Sequence, residues 1–557
     1  MSRLEDKPGY YFLVAFVGVI GAISTIAFYE LYLRIWNETL SILSYSRLYI
    51  FLFVFLALAT SFVLVRLFAE SKSTGSGTHS VLETYHLKNG ETSLRDTIVK
   101  PLASVFTMGF GGSAGPEGPS LLVGGGLASN IARRLKVRIQ YHRRIFIARA
   151  AAGLTAVFRT PLTGILFALE IPYKNDLDME TFIEASIATI PSYLISVVIL
   201  GSERFFGTVS GGEITLSEIG LSLVLGLICG LYAIFFTKIF SLAGNVRMSL
   251  RKRIGNLGLI VIGAISLGAI GYYSIYAVGV GLNFVNEIVK GTSFAVAFVL
   301  AIILLKTLAT TITLNFGGSG GLFFPTIVIG AGIGYAFSIL SGNGSSVFFI
   351  AVGMAALLAG THKILLTPTA FVVETLGGIY AIPALIASAV SYLVSRGSTF
   401  YTIQPKTRLK TEELAVERFF LRAKKTIPTK LEQTVAGDFM TKQPIYIHIG
   451  TTIKDALGAF EKTTLRVLPA VDEKMNVIGA VTIEDLGNVD SKHMNETLSE
   501  MLMHRPLVVR KETSLEKIAE LMMDKGEDHV FVVDDDEKLI GVISGIDVVR
   551  KITELSE

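Results

Sequence analysis

Apolar residues run almost unbroken over 10–35, 48–68, 181–201, 216–241, 257–280 and 294–315. Each stretch suits a helix crossing the hydrocarbon layer, which is about 30 Å thick and takes about 20 residues. These predict six ordinary spanning helices. Five more apolar stretches, 101–129, 145–171, 317–341, 347–376 and 380–395, are interrupted by Gly, Pro, Ser or Thr and predict broken helices. Hydrocarbon satisfies no freed N–H or C=O, so interrupted backbone at that depth must be buried in protein or line a wet pathway. Beyond residue 401 the pattern changes character. TIKDALGAF at 452–460 and SLEKIAELMM at 514–523 have helical periodicity, while VLPAV at 467–471 and VFVVD at 530–534 alternate as strands do.

Composition sharpens this division. The chain of 557 residues is 51% hydrophobic with a mean hydropathy of +0.57, unlike a soluble protein. Residues 1–401 hold 28 Lys and Arg against 19 Asp and Glu, and the remaining 156 hold 22 against 27. The net +4 is therefore +9 in the apolar part and −5 in the tail, a balance that gives no sign of nucleic-acid binding. One cysteine, Cys229, excludes an intrachain disulfide framework and a Cys-rich metal site. The start, MSRLEDKPG followed by apolar residues to about Phe28, lacks a short apolar core with a small-residue cleavage site, so a retained first spanning helix is expected. Basic segments at Arg133–Arg144, Arg247–Arg253 and Lys406–Lys425 place those loops, the amino terminus and the tail in the cytoplasm.

The membrane part is duplicated. Residues 111–126, GGSAGPEGPSLLVGGG, align without a gap to 317–332, GGSGGLFFPTIVIGAG, with seven of 16 positions identical. Residues 151–170 align to 355–374 with seven identities, ending on Glu170 and Glu374. Duplicated bundles with interrupted segments in corresponding places point to a transporter whose site lies where the repeats meet. The tail is duplicated as well: IGAVTIEDL at 478–486 matches IGVISGIDV at 540–548, and two such small units are expected to pack together.

Glu117 is the residue that most needs explaining, because a carboxylate inside an apolar Gly/Pro-rich segment is costly and marks function. GPEGP at 115–119 puts it at a helix start, where free N–H groups and the dipole favour negative charge. Similar starts occur at GSGT, 75–78, and GGLFFP, 320–325. Converging helix starts make an anion site without a full positive charge to hold the ion too tightly. Ser76 and Tyr401 add hydroxyl donors to this set, against plainer readings as an N-cap and an interfacial aromatic.

GSGTH at 75–79, GPEGP at 115–119, GGLFFP at 320–325 and Tyr401 occur in the order and spacing of the CLC chloride channel and transporter family, which the whole membrane part resembles. The tail resembles a CBS-domain pair. The resemblance implies a multi-pass all-α membrane domain of two inverted repeats of tilted, broken helices over 1–401, a linker at 402–433, and an α/β CBS pair at 434–489 and 490–557. It implies chloride transport by a homodimer in the bilayer, as a transporter or proton-coupled exchanger, and not an enzyme. By resemblance, Ser76 and Tyr401 with the backbone N–H groups of Leu322 and Phe323 hold chloride, and Glu117 is the gate through which protons act. In the tail, Thr482 with Asp485 and Ser544 with Asp547 match positions that hold an adenine nucleotide (ATP, ADP or AMP) in some CBS pairs. No cofactor or metal is required.

Departures bear on coupling. Ile171 stands where proton-coupled members commonly carry a second acid, so a passive voltage- or pH-gated channel is the alternative. Pro116 replaces a frequent basic residue, and His79 a usual proline. Glu170 and Glu374 are expected to be helix-end carboxylates pairing with a nearby loop, the alternative for Glu170 being a proton relay. A remote alternative is a CBS-containing intramembrane metalloprotease, its densest cluster being His79, Glu83 and His86; the spacing is not that of an HExxH motif.

Overall fold

The computed structural model describes residues 8–135, 137, 142–207, 214–342, 346–407, 411–461, 467–482, 486, 494–500, 506–525 and 527–556. It divides into two compact units, Met1–Thr407 and Arg408–Glu557.

The first unit is helical: α1 (Pro8–Tyr45), α2 (Tyr49–Phe68), α3 (Gly77–Leu87), α4 (Leu94–Gly109), α5 (Glu117–Arg134), α6 (His142–Phe158), α7 (Pro161–Glu170), α8 (Phe182–Leu200), α9 (Leu216–Tyr273), α10 (Leu282–Val289), α11 (Val296–Asn315), α12 (Phe323–Leu340), α13 (Ser346–His362), α14 (Leu366–Thr375) and α15 (Ala381–Val394). Six of these are long and apolar enough to cross a membrane; of the five interrupted stretches, 101–129, 145–171 and 347–376 are pairs of shorter helices as expected, whereas 317–341 holds α12 alone, itself one of the six, and 380–395 holds α15 alone. One expectation needs revising. The basic segment Arg247–Arg253 is not a loop between two spans but helical within α9, and the chain turns at Gly255, whose φ of 69° is left-handed and suits glycine. Lys and Arg are good helix formers, so the charged stretch extends the helix beyond the apolar run.

α6, α12 and α13 form the interior, with nearly every side chain buried. α2, α8, α9 and α15 bury one face and leave Leu52, Leu194, Leu231 and Ile382 exposed, the stripe a bilayer covers.

The two halves brace each other reciprocally. The Ser113 N–H donates to Thr313 Oγ1 at 3.0 Å, and the equivalent Ser319 N–H to Thr107 Oγ1 at 3.1 Å. Glu170, at the end of α7, accepts from the N–H groups of Leu365, Leu366 and Thr367 and from the Thr367 hydroxyl at the start of α14, over 2.6–2.9 Å. Glu374, near the end of α14, accepts from Leu162 N–H, Thr163 N–H and the Thr163 hydroxyl at the start of α7. When i contacts j′ and j contacts i′, the halves are related by a two-fold axis. Arg159 (φ 56°) and Lys363 (φ 58°) continue the pattern: Arg159 donates to Leu200 O at the end of α8, and Lys363 to Ser395 O at the end of α15.

In the second unit, strands β4 (Ile447–His448), β5 (Val467–Val471) and β6 (Val477–Thr482) form one sheet, and β3 (Thr441–Lys442), β9 (Leu539–Ser544), β8 (His529–Val533) and β7 (Val508–Arg510) the other. Each holds a parallel pair and an antiparallel hairpin in the same order, β4-β5-β6 and β7-β8-β9. Helices α16 (Thr411–Thr426), α17 (Ile453–Glu461), α18 (Leu515–Lys525) and α19 (Gly545–Ser556) pack around them. Val416, Phe420 and Ala423 of α16 belong to the core of the second repeat.

Candidate anion site

Three helix starts meet inside the first unit because backbone pairing ties them together. β1 (Gly75–Ser76) runs parallel to β2 (Ser319–Gly320), which sets the start of α3 beside that of α12. Gly115 and Gly321 exchange both N–H···O bonds, at 2.9 and 2.8 Å, which brings in the start of α5. The approach requires glycine: a Cβ on Gly77 would lie 2.7 Å from the carbonyl carbon of Gly118. Each start then presents unsatisfied N–H groups and the positive end of a dipole to the same region.

Glu117, the first residue of α5, is fully buried. Its Oε1 accepts from the Phe323 N–H at 2.6 Å across the two halves. Gly115 and Gly321 cradle the carboxylate so closely that a Cβ on either would overlap it. Its Oε2 has no hydrogen-bond partner among the described residues. A negatively charged group thus occupies a backbone cradle at the start of α12, one that would accept any small anion on the same physical grounds.

The other predicted residues gather nearby. Leu322 is the N-cap of α12 and Phe323 its first residue, both buried. Ser76 is the N-cap of α3, its hydroxyl accepting from the His79 N–H at 3.3 Å, so the plainer cap reading and a place near the site hold together. Tyr401 is fully buried, not interfacial. Its hydroxyl lies within reach of those of Ser76 and Thr78, with Glu117 within electrostatic range, yet among the described residues neither it nor Thr78 Oγ1 completes a well-aligned hydrogen bond. Buried hydroxyls are normally paired, and an unpaired one calls for an explanation. Two such donors beside a helix start fit an anion.

Two further residues belong here. Thr78 sits within the GSGT motif and has a hydroxyl like that of Ser76. His362 ends α13, buried, with its ring 5.4 Å from that of Tyr401 and 6.0 Å from that of Phe323. The repeat alignment held its signal, since it sets His362 against Phe158. Ile171 is buried, and its carbonyl accepts from Gln404 Nε2 at 2.8 Å. Among the described residues no group of three or more His, Cys, Asp or Glu is placed to hold a metal.

In the tail, Ser544 caps α19. Its N–H and hydroxyl donate to Asp547 Oδ2 at 2.9 and 2.6 Å, and its oxygen accepts from the Asp547 N–H. Thr482 ends β6; Asp485 lies outside the described residues. A cleft of about 500 Å³, lined by Asn476, Arg510, Thr513 and Glu537, opens at the opposite end of the second sheet from Ser544.

With this geometry in view, the family described as "Voltage gated chloride channel" matches residues 54–396. The chain belongs to that family. CBS domains match 436–489 and 498–554. The H(+)/Cl(-) exchange transporter ClcA of Vibrio campbellii is 26% identical over 341 residues, 57% of this chain and 70% of that protein. The crystal structure of a CLC-type fluoride/proton antiporter superposes with a TM-score of 0.65 at 22% identity, covering 73% of this chain and all of that one. That of a eukaryotic CLC transporter reaches 0.63 at 16% identity over 96% and 97% of the two chains. At those identities the two structures speak for the fold. The CLC fold with its CBS pair, expected from the motifs, is thus shown, and this chain is an integral membrane protein.

Proposed function

We propose that the protein moves chloride across the membrane as a CLC-type transporter, with Glu117 as the gate. The observation that carries this is the Glu117 carboxylate lying in the Gly115–Gly321 cradle and accepting the Phe323 N–H. Ionised, it competes with an incoming anion for those donors. Protonated, it loses the charge that the cradle binds and leaves it to chloride. Ser76, Thr78 and Tyr401, with the N–H groups of Leu322 and Phe323, form the central chloride site, whose neutral donors let the ion go as readily as it enters. The proton that releases Glu117 makes exchange of chloride for protons the favoured mode, in line with the exchange transporters to which the chain is similar. The buried aliphatic Ile171 favours the second reading, a passive channel.

Two copies form the working homodimer, with the amino terminus and the CBS tail in the cytoplasm, on the side of the basic segments. The tail regulates the pore and holds an adenine nucleotide through Ser544 and Asp547, with Thr482 and Asp485 in the other repeat.

The test is anion efflux from proteoliposomes at a series of pH values. Glu117→Gln should keep chloride flux and lose its pH dependence and any proton coupling. Flux that keeps its full pH dependence in this variant would remove Glu117 from the gate.

A further inference from the structure

The ring of His362 packs against both Tyr401 and Phe323, the residues that frame the proposed chloride site. Phe400 closes a third side at 5.6 Å. Its Nδ1 lies 2.9 Å from Thr361 Oγ1, which itself donates to the Leu357 carbonyl at 2.9 Å. The threonine therefore offers Nδ1 a lone pair, Nδ1 carries the ring hydrogen, and Nε2 is left as a bare acceptor. Nε2 is buried and has no hydrogen-bond partner among the described residues.

Ionisable groups on the elements packed against α13 have partners of their own. Glu374 of α14 caps α7, Glu287 of α10 accepts from Tyr276, and Tyr392 of α15 donates to the Lys174 carbonyl. Lys363 donates to Ser395, Tyr335 of α12 accepts from the Phe294 N–H, and Cys229 of α9 faces the Gly353 carbonyl. Tyr401 and, through Phe323, Glu117 are the titratable groups on the side of the anion site.

We infer that His362 is a second proton-binding group of the anion pathway, its Nε2 taking up a proton beside the chloride site and supplying what Ile171 does not. The inference rests on the exchange reading above. The step is a simple transfer: the Nε2 lone pair bonds the proton, the imidazole becomes a cation, and chloride in the site balances its charge. Release of that proton restores the neutral ring. The positive charge exists only while the proton is bound, so it helps to hold the anion in one state and frees it in the other. Phe158, the counterpart in the other half, carries no proton, so the two halves differ here as they do at Glu117 and Phe323.

The experiment uses the full chain in liposomes under a chloride gradient, recording chloride efflux and external pH together, with His362→Phe, His362→Gln and His362→Glu. The expected result is uphill proton movement in the unaltered protein, lowered about tenfold or more in the Phe and Gln variants while chloride efflux persists, and kept in His362→Glu. Unchanged coupling in the Phe and Gln variants would overturn the inference. So would chloride efflux without proton movement in the unaltered protein, or His362→Gln losing both fluxes, which would make the histidine a packing residue. An unaltered protein that moves neither ion would instead count against chloride transport.

Discussion

Glu170 and Glu374 hold equivalent places in the two halves and do the same work, each capping the start of the other half's short helix. Glu117 and Phe323 also hold equivalent places, 206 residues apart, but one presents a carboxylate and the other the N–H that receives it. Where the halves agree, the residues hold the two-fold frame together. Where they differ, charge and titratable groups collect at the point where the helix starts meet. His362 opposite Phe158 is a second such difference. A symmetric scaffold could bind an anion equally from both sides; a gate needs one side to differ.

The frame should break most severely at its glutamates. A carboxylate at the end of its own helix is poorly placed for that helix's dipole, but each of these faces the positive end of its partner's. Glu170→Ala would strand three N–H groups and a hydroxyl, those of Thr367 buried, and should cost roughly 3–5 kcal/mol. Glu374→Ala should cost about 1 kcal/mol less. The reason is covalent: Pro161 stands where the other half has Leu365, and proline has no N–H to offer. Thermal unfolding in detergent should therefore rank wild type above Glu374→Ala and Glu374→Ala above Glu170→Ala. The reverse order would mean that the two caps do not act as equivalents.

Much of this was legible beforehand because glycine, proline and charge are costly in hydrocarbon. The runs GGSAGPEGP and GGSGGLFFP could sit at that depth only if buried, and their alignment gave the duplication, the helix starts and Glu117. The roles of Glu170 and Glu374 as helix-end carboxylates were legible too, but not which donors they meet, since the segments that pair are 195 to 212 residues apart. Thr78 and His362 escaped notice because a hydroxyl or an imidazole within an apolar helix has an ordinary structural reading. Lys100 and Lys306, again 206 apart, are buried on Ser80 Oγ and the Gly279 carbonyl respectively. The Arg247–Arg253 segment is hard to place because its charge suggests a loop although Lys and Arg favour helix.

The tail offers a milder form of the same contrast, since its two repeats share one hairpin pattern. Ser544→Ala removes the cap of α19 and should cost about 1 kcal/mol. In the full chain this should appear as faster amide exchange over the first turn of 545–556, with chloride flux through the first unit retained. Adenine nucleotide affinity, measured by calorimetry, separates the two uses of this serine. A loss of affinity alongside the faster exchange supports a nucleotide site, whereas unchanged affinity leaves Ser544 a cap alone.

The smallest effect should come from a contact that, among the described residues, is made to the second tail repeat. Lys424 of α16 reaches Glu516 and Glu520 of α18 at 2.7 and 2.8 Å. Its hydrogen bonds to these two carboxylates raise the Lys424 pKa above its ordinary 10.5. A raised lysine pKa means that the folded state favours the charged form. The stabilisation is therefore fully present below pH 10.5 and is lost as pH climbs through the raised value. Lys424 is largely exposed, so solvent and salt screen the pair and limit it to about 0.5 kcal/mol. Lys424→Met should thus shift unfolding of the tail slightly in low salt at pH 7, and not at all in about 1 M salt, where the screening length falls to about 3 Å. A shift that survives high salt would mean that the lysine stem packing over the Phe420 ring, 5.4 Å from the ammonium, matters more than its charge.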